Sequence, residues 1–373
     1  MRKVAVFFGG KSCENEISIL TGVFVLNILT GTKFTPVPIY LHMDGGMYTA
    51  RDMQSVEPFK KRDISRFQRV VIDGGVLYAV YPGKRKIKRL TKLDLALNCC
   101  HGGLGEGGGV SALCALNELP LASPGLTTSG VFMDKCMTKT VLKALNIPTL
   151  DFIRVNEGDY KKRGAFLLKS IERRLKYPVI VKPAHLGSSI GISVARNETE
   201  AKQAIENAFL LDERVLVEKY LPQKKDVNCG AFIKGGEIFV SEAEEAFGDG
   251  VYSFEDKYIK RTDDGLGGKN GARNRRKWLD GDLREKIRSY TRTVYKRMNL
   301  KGVVRMDFLV SDGKAYLCEV NTVPGSLAYY LFCERVSDAR AFFTALLDEA
   351  LSGNGTEKKL VTTGVLNGVV GRK

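Results

Sequence analysis

Arg305-Met-Asp307-Phe-Leu-Val-Ser-Asp-Gly-Lys-Ala-Tyr-Leu-Cys-Glu319-Val-Asn321 reads as two strands joined by a turn at Ser311-Asp312-Gly313-Lys314. Side chains alternate between the two faces of a strand, so the length of the turn decides what the hairpin presents. If the turn holds an odd number of residues, Asp307 lies opposite Glu319 and Arg305 opposite Asn321. Val304, Met306, Phe308, Val310, Tyr316, Cys318 and Val320 then form an apolar face, with Arg305, Asp307, Glu319 and Asn321 on the other. A two-residue Asp312-Gly313 turn is a strong hairpin signal, but it would push Glu319 among the apolar residues, so the odd turn is expected. Two carboxylates and an amide on one face make an oxygen-only donor set suited to Mg²⁺ or Mn²⁺. The arginine beside them suits a carboxylate or phosphate. The plainer alternative is the solvated polar face of an edge hairpin, and the rest of the chain must decide between the two.

The chain has 373 residues, enough for two or three domains with separate cores. No apolar run approaches the length of a membrane span. Residues 1–10 have a basic start and a short apolar run without a small-residue cleavage site, which reads as a first core strand and not a signal peptide. The eight cysteines show no C-x-x-C spacing, and Cys99, Cys100, Cys114 and Cys318 fall in apolar segments. Reduced, buried thiols in a cytoplasmic protein are therefore expected. The net charge of +16 is spread over 84–92, 161–176, 257–277 and the C-terminal tail. With no continuous basic stripe and no aromatic-rich RNA-binding strand, the basic surface is expected to attract anionic metabolites and no specific nucleic acid.

Val4-Ala-Val-Phe-Phe8 is a buried strand ending in Gly9-Gly10, followed by helical periodicity at 18–29 and strands at 35–41 and 93–100. A glycine-rich turn then opens a helix at 110–119. This alternation describes an open α/β sheet with ligands at the strand tips. Segment 56–89 is ambiguous apart from a hairpin at Asp73-Gly74-Gly75. From Pro124 the pattern becomes α+β, with helices at 135–145, 164–175 and 198–209 and strands at 179–182 and 215–218. A third unit begins at Asp226 with two more strands. The glycine-rich, charged stretch 248–276 suggests a mobile active-site loop. A helix at 282–298 precedes the opening hairpin, and 360–370 could dock as a strand.

Several motifs carry chemistry. The turn at 183–191 follows a strand containing Lys182, and its backbone N–H groups can form a nest for phosphate oxygens, although it fits neither a Walker A sequence nor a dinucleotide fingerprint. A tight turn between two strands would explain it as well, taken alone. Asp134 can cap a helix and Lys135 can reach a phosphate. The strand ending Glu218-Lys219-Tyr220-Leu221 suits an adenine cleft, with Glu218 accepting from a ribose hydroxyl or the amino group. His101, in Cys100-His101-Gly-Gly-Leu-Gly105-Glu106, sits at a strand tip among glycines and is expected to contact substrate.

The ordered set resembles the D-alanine–D-alanine ligase family of the ATP-grasp superfamily. The pieces that carry it are Gly9-Gly10-Lys-Ser-Cys-Glu14, His101 to Glu106, Met133-Asp-Lys135, Lys182 to Gly191, Lys257-Tyr258, Arg305-Met-Asp307 and Glu319-Val-Asn321-Thr-Val-Pro-Gly325. The resemblance implies a three-domain ATP-grasp architecture: an N-terminal open parallel α/β sheet and two α+β domains that clamp ATP. The units are 1–124 (substrate binding), 125–223 (central ATP-grasp) and 224–373 (catalytic and metal binding). It implies ATP and two Mg²⁺ as cofactors, D-alanine as substrate, no membrane partner and a possible homodimer. Residue by residue, it implies that Lys135, Lys182 and Lys257 hold the ATP phosphates and Glu218 the nucleoside, while Asp307, Glu319 and Asn321 ligate the metal. Glu14 would meet the first amine, Arg305 and the Gly325 N–H the oxyanion, and Ser188 and Tyr258 would link the loops over the site. The sequence departs from the family in two places. Ser326-Leu327, the pair expected on the second substrate's carboxylate, follows Gly325 at once where the family has a longer loop. The segment after Tyr258 is glycine-rich and basic. The acceptor is therefore open: D-alanine, or D-lactate, D-serine or another amino acid in a related ligase. A third alternative, a nucleotide- or nucleic-acid-binding protein without catalysis, conflicts with the intact metal ligands.

Overall fold

The computed structural model describes residues 1–60, 63–246, 277–353 and 363–364. Its centre of gravity is three β-sheets, of seven, four and six strands. Residues 247–276, which include Lys257 and Tyr258, and most of the C-terminal segment expected to dock as a strand lie outside the described residues.

The apolar run at the N-terminus forms the strand Arg2–Gly9, buried on both faces. It pairs in parallel with Phe34–Leu41 on one side and Leu95–Asn98 on the other. The expected parallel sheet is thus the centre of a larger mixed sheet. Met47–Thr49, Gln68–Asp73, Val76–Tyr81 and Lys86–Lys92 extend it through antiparallel ladders. Parallel pairing needs a long crossover, whereas antiparallel pairing needs only tight turns. Between these strands the chain supplies turns, including the expected one at Asp73-Gly74-Gly75-Val76. On one face Val4, Val6 and Phe8 pack with Leu26 and Leu29 of helix Asn15–Leu29, and with Phe343 and Leu346 of helix Ala339–Ser352. On the other, Ala5, Phe7 and Ile39 meet Val110 and Cys114 of helix Val110–Leu116.

The four-stranded sheet runs Ser193–Ala195, Val179–Pro183, Arg214–Lys219, Phe152–Asn156, all antiparallel. Helices Glu157–Leu175 and Glu198–Phe209 cover one face through Leu168, Ile171, Ala201 and Ile205. The third sheet is built on Lys225–Lys234, which pairs with Val303–Ser311, which in turn pairs with Lys314–Asn321. Ile287 and Val294 of helix Gly281–Arg297 share its core with Phe132, Leu142 and Ile147 from the segment before the second sheet. Among the described residues no helix is long and apolar enough to cross a membrane, and no disulfide joins the cysteines.

The hairpin of Val303–Ser311 and Lys314–Asn321 differs from expectation in one instructive way. Ser311 pairs with Lys314, so the turn is the two-residue Asp312-Gly313 loop and not an odd one. Both turn residues have positive φ (51° and 68°), as a primed hairpin turn requires. The expected register at the site survives because of a β-bulge. Phe308 pairs with Leu317, but Asp307 pairs with Glu319, leaving Cys318 as the extra residue. Ala315 and Leu317 are consequently buried, in place of Tyr316 and Cys318. A bulge adds one residue and resets the alternation beyond it, so the strand obeys its turn signal and still keeps Glu319 beside Asp307.

Candidate active site

A cavity of about 490 Å³ opens between the second and third sheets, with the N-terminal unit at one end. Lys135, Lys182 and Glu218 line it from the middle of the chain, and Arg305, Asp307, Glu319 and Asn321 from the hairpin. Glu14, His101, Ser188, Gly325 and Ser326 complete the set of expected residues on its wall. Leu327 does not line it: only 2% exposed, its side chain belongs to the core beneath the first sheet.

On the hairpin face, Arg305 grips Asp307 with two parallel bonds, Nε to Oδ1 at 2.7 Å and Nη2 to Oδ2 at 2.9 Å. Asn321 donates its amide to Asp307 Oδ2 at 3.0 Å, which leaves its amide oxygen as an acceptor. Glu319 pairs with Lys135 at 2.8 Å. Among the described residues no cluster of three or more histidines, cysteines and carboxylates is preformed for a metal. The donor set is two carboxylates and one amide.

Glu218 is fully buried and is held between two lysines, Lys182 and Lys139, the latter at 2.7 Å. Burial alone would raise its pKa, but the two cations outweigh burial and hold it at about 2. Its carboxylate therefore orders the lysines, and both of its oxygens are engaged before any nucleoside arrives. Lys139 was not singled out in the sequence, yet a signal existed. Lys135, Thr138, Lys139 and Leu142 make the buried stripe of helix Lys135–Ala144, and two lysines in an apolar stripe imply buried partners. Lys139 also donates to Thr149 at 2.8 Å.

The helix starts where Asp134 caps it, accepting from Cys136 N at 2.7 Å and Met137 N at 3.1 Å. The Asp134 carboxylate also binds Arg214. Lys135 Nζ then reaches the Leu186 carbonyl in the glycine-rich turn. In that turn Ser188 and Ser189 both have positive φ (52° and 61°), and the Ser188 hydroxyl donates to Glu14. Gly187 has a steric reason: a Cβ there would sit 2.6 Å from a Glu14 oxygen. Glu14 and Ser188 thus tie the N-terminal unit to the second sheet.

His101 is buried and both ring nitrogens are committed. Nδ1 lies 2.7 Å from the Val323 carbonyl and must donate to it. Nε2 then accepts from the Thr21 hydroxyl at 2.8 Å, and Thr21 Oγ1 accepts from Ser326 N at 3.2 Å. Burial lowers the His101 pKa to about 4, so the ring is neutral at physiological pH, as this chain of bonds requires. Glu106, unassigned in the sequence, holds the same segment from the other side, accepting from Val323 N at 3.1 Å and Gly102 N at 2.8 Å. Burial pushes its pKa up to about 7. Between them these residues fix a tight turn after Pro324. Ser326, Leu327 and Ala328 are all left-handed (φ 50°, 51° and 47°), a conformation that costs non-glycine residues about 1–2 kcal/mol each. Burial of Leu327 and Ala328 (2% and 0% exposed) offsets that cost. The turn brings Tyr330 to the cavity wall, where its hydroxyl accepts from Arg305 Nη1 at 3.0 Å.

The solved structures that this arrangement matches place the fold. D-alanine–D-alanine ligase from Helicobacter pylori superposes with a TM-score of 0.74 and 26% identity, covering 95% of this chain and 98% of that one. The VanG D-Ala:D-Ser ligase from Enterococcus faecalis gives 0.73 and 23%, covering 94% and 98%. The architecture is that of the ATP-grasp proteins. In sequence, residues 3–124 match the D-ala D-ala ligase N-terminus model and 141–352 the C-terminus model. A D-alanine–D-alanine ligase of Thermosipho melanesiensis is 34% identical over 339 residues, 89% of each chain. The chain belongs to the D-alanine–D-alanine ligase family.

Proposed function

We propose that this protein is an ATP-dependent D-alanine–D-alanine ligase, acting in the cytoplasm to make D-alanyl-D-alanine for peptidoglycan precursors. The observation that carries the reading is the convergence of Lys135 and Lys182 with Asp307, Glu319 and Asn321 across one cavity. Lysines supply the charge that phosphates require, and the hairpin supplies hard oxygen donors. The fit to Mg²⁺ rests on that donor chemistry. The Asn321 amide oxygen is an acceptor, Asp307 Oδ1 keeps a lone pair beyond its bond to Arg305, and Glu319 adds a second carboxylate beside Lys135. Asp307, Glu319 and Asn321 would hold Mg²⁺, which supplies charge neutralisation for phosphoryl transfer when bound.

In this reading Lys135 and Lys182, with Lys257, orient the ATP phosphates. Glu218 keeps Lys182 charged and in place from beneath the nucleoside. The first D-alanine sits with its amine near Glu14. Its carboxylate oxygen attacks the terminal phosphorus, ADP leaves, and an acyl phosphate forms. The neutral amine of the second D-alanine then attacks the acyl carbon, phosphate departs and the amine loses a proton. Arg305 and the Gly325 N–H face the oxyanion formed on the way. His101 and Glu106 hold the Thr322–Gly325 segment, so His101 acts here by positioning. Ser188, with Tyr258, joins the loops that keep water from the acyl phosphate.

The test is ADP release coupled to product mass across D-amino acids and D-lactate. D-alanine is expected to give the dipeptide. Dipeptide or depsipeptide formed only with another acceptor would move the protein within its family. Glu319→Ala is expected to lower turnover by at least about a hundredfold while thermal unfolding stays cooperative, as loss of a metal donor implies. Substantial residual turnover would remove Glu319 from the metal site.

A further inference from the structure

We infer that Tyr330 reads the acceptor, the second substrate of the ligation, by donating its phenolic proton to that substrate's carboxylate; this rests on the ligase reading above. The geometry follows from the turn after Gly325. Ser326, Leu327 and Ala328 turn left-handed directly after Gly325. That turn sends Leu327 and Ala328 into the core and returns Ser326 and Tyr330 to the cavity. Ser326 N is anchored on Thr21 Oγ1, and Leu327 N on the Pro324 carbonyl at 2.8 Å. The position of Tyr330 is therefore set by packing and backbone bonds.

The hydrogen-bond inventory gives the hydroxyl its polarity. Arg305 Nη1 donates to Tyr330 Oη at 3.0 Å, so one lone pair is used and the O–H proton points elsewhere. A phenol that accepts from a guanidinium is polarised toward donation. The acceptor must present a free amine to the acyl carbon, so it has to be held by its other polar group, the carboxylate. A carboxylate is an acceptor only, and it matches an O–H donor beside an arginine. The carboxylates of Glu14 and Glu106, on other parts of the wall, would repel it. Tyr330 takes no part in bond making: the amine nitrogen bonds to the acyl carbon, phosphate leaves, and the proton is lost from nitrogen. The ring, on the same cavity wall as Ser326, adds bulk that limits the acceptor to a small side chain.

Steady-state kinetics of Tyr330→Phe and Tyr330→Ala, varying D-alanine and ATP separately, test this. Removing a hydrogen bond to a charged group predicts a rise of about tenfold or more in the KM of the second D-alanine for Tyr330→Phe. The KM for ATP is expected to stay within about twofold, because the hydroxyl meets Arg305 and the acceptor and not the nucleotide. Tyr330→Ala is expected in addition to join larger D-amino acids, such as D-norvaline, to D-alanine. An unchanged acceptor KM in Tyr330→Phe overturns the inference. So does an equal rise in every KM, which would mean that Tyr330 serves only to support Arg305. The wild-type enzyme separates the two readings. If it ligates D-alanine while Tyr330→Phe behaves identically, only this inference falls. If it ligates no D-amino acid, the ligase reading falls and takes this inference with it.

Discussion

At the scale of single residues, the site is held by charged groups whose partners lie far away in sequence. His185 stands at the base of the glycine-rich turn, 2.9 Å from Asp212 through Nδ1 and 3.5 Å from Asp134 through Nε2. Arg214 faces the same Asp134 carboxylate. Hydrogen bonds to Asp134 and Asp212 outweigh partial burial and raise the His185 pKa from 6.5 to about 9. A group whose folded pKa lies above its unfolded one stabilises the fold fully below the unfolded value. That contribution is lost as pH rises through the folded value. For His185 the window is pH 6.5 to about 9. The melting temperature of the wild type is therefore expected to fall more steeply across this window than that of His185→Gln, measured in a buffer series. Parallel slopes would exclude His185 as the titrating group. The sequence singled out Asp134 and Lys135 at this site, but not His185. Its partner Asp212 follows a helix and precedes a different strand, so only the folded sheet brings them together.

Elements place these residues, and two local rules explain most of the placement. The helix Lys135–Ala144 begins where Asp134 satisfies two backbone donors, and this start sets the direction of Lys135. Asp134→Ala is expected to cost about 1–2 kcal/mol from the cap, with a raised KM for ATP; Asp134→Asn, which can still cap, should cost less. Denaturant titration of both variants measures this, and equal losses would mean that the charge pairing with Arg214 and His185 dominates. The hairpin shows how local signals can be correct separately and misleading together. Asp312-Gly313 asked for a two-residue turn, and Asp307 with Glu319 asked for shared facing. The chain satisfies both with the bulge at Cys318. A bulge is a product of pairing with a neighbouring strand, and nothing in the isolated segment announces it.

Across the whole molecule, the first sheet is completed by residues from the far end of the chain. Phe342, Phe343, Leu346 and Leu347 pack in the same core as Val4 and Val6. Burying four such side chains contributes about 6–12 kcal/mol, comparable to the total stability of a domain, about 5–15 kcal/mol. A fragment of residues 1–124 is thus expected to lack a cooperative thermal transition, as judged by circular dichroism; a sharp transition would show that this helix is dispensable. The sequence by itself determined part of the strand and helix order, the polar hairpin face, the glycine-rich turn and the family, because these rest on short-range periodicity and on motifs in fixed order. Of the site residues it named, all those among the described residues except Leu327 are on the cavity wall. The tertiary structure decided what those residues do to one another. It buried Glu218 between Lys139 and Lys182 and committed both nitrogens of His101. It sent Leu327 inward and turned Tyr330 toward Arg305. The physical reason is range: alternation and capping act over a few residues, whereas desolvation and ion pairing depend on groups that meet only when the sheets close on each other.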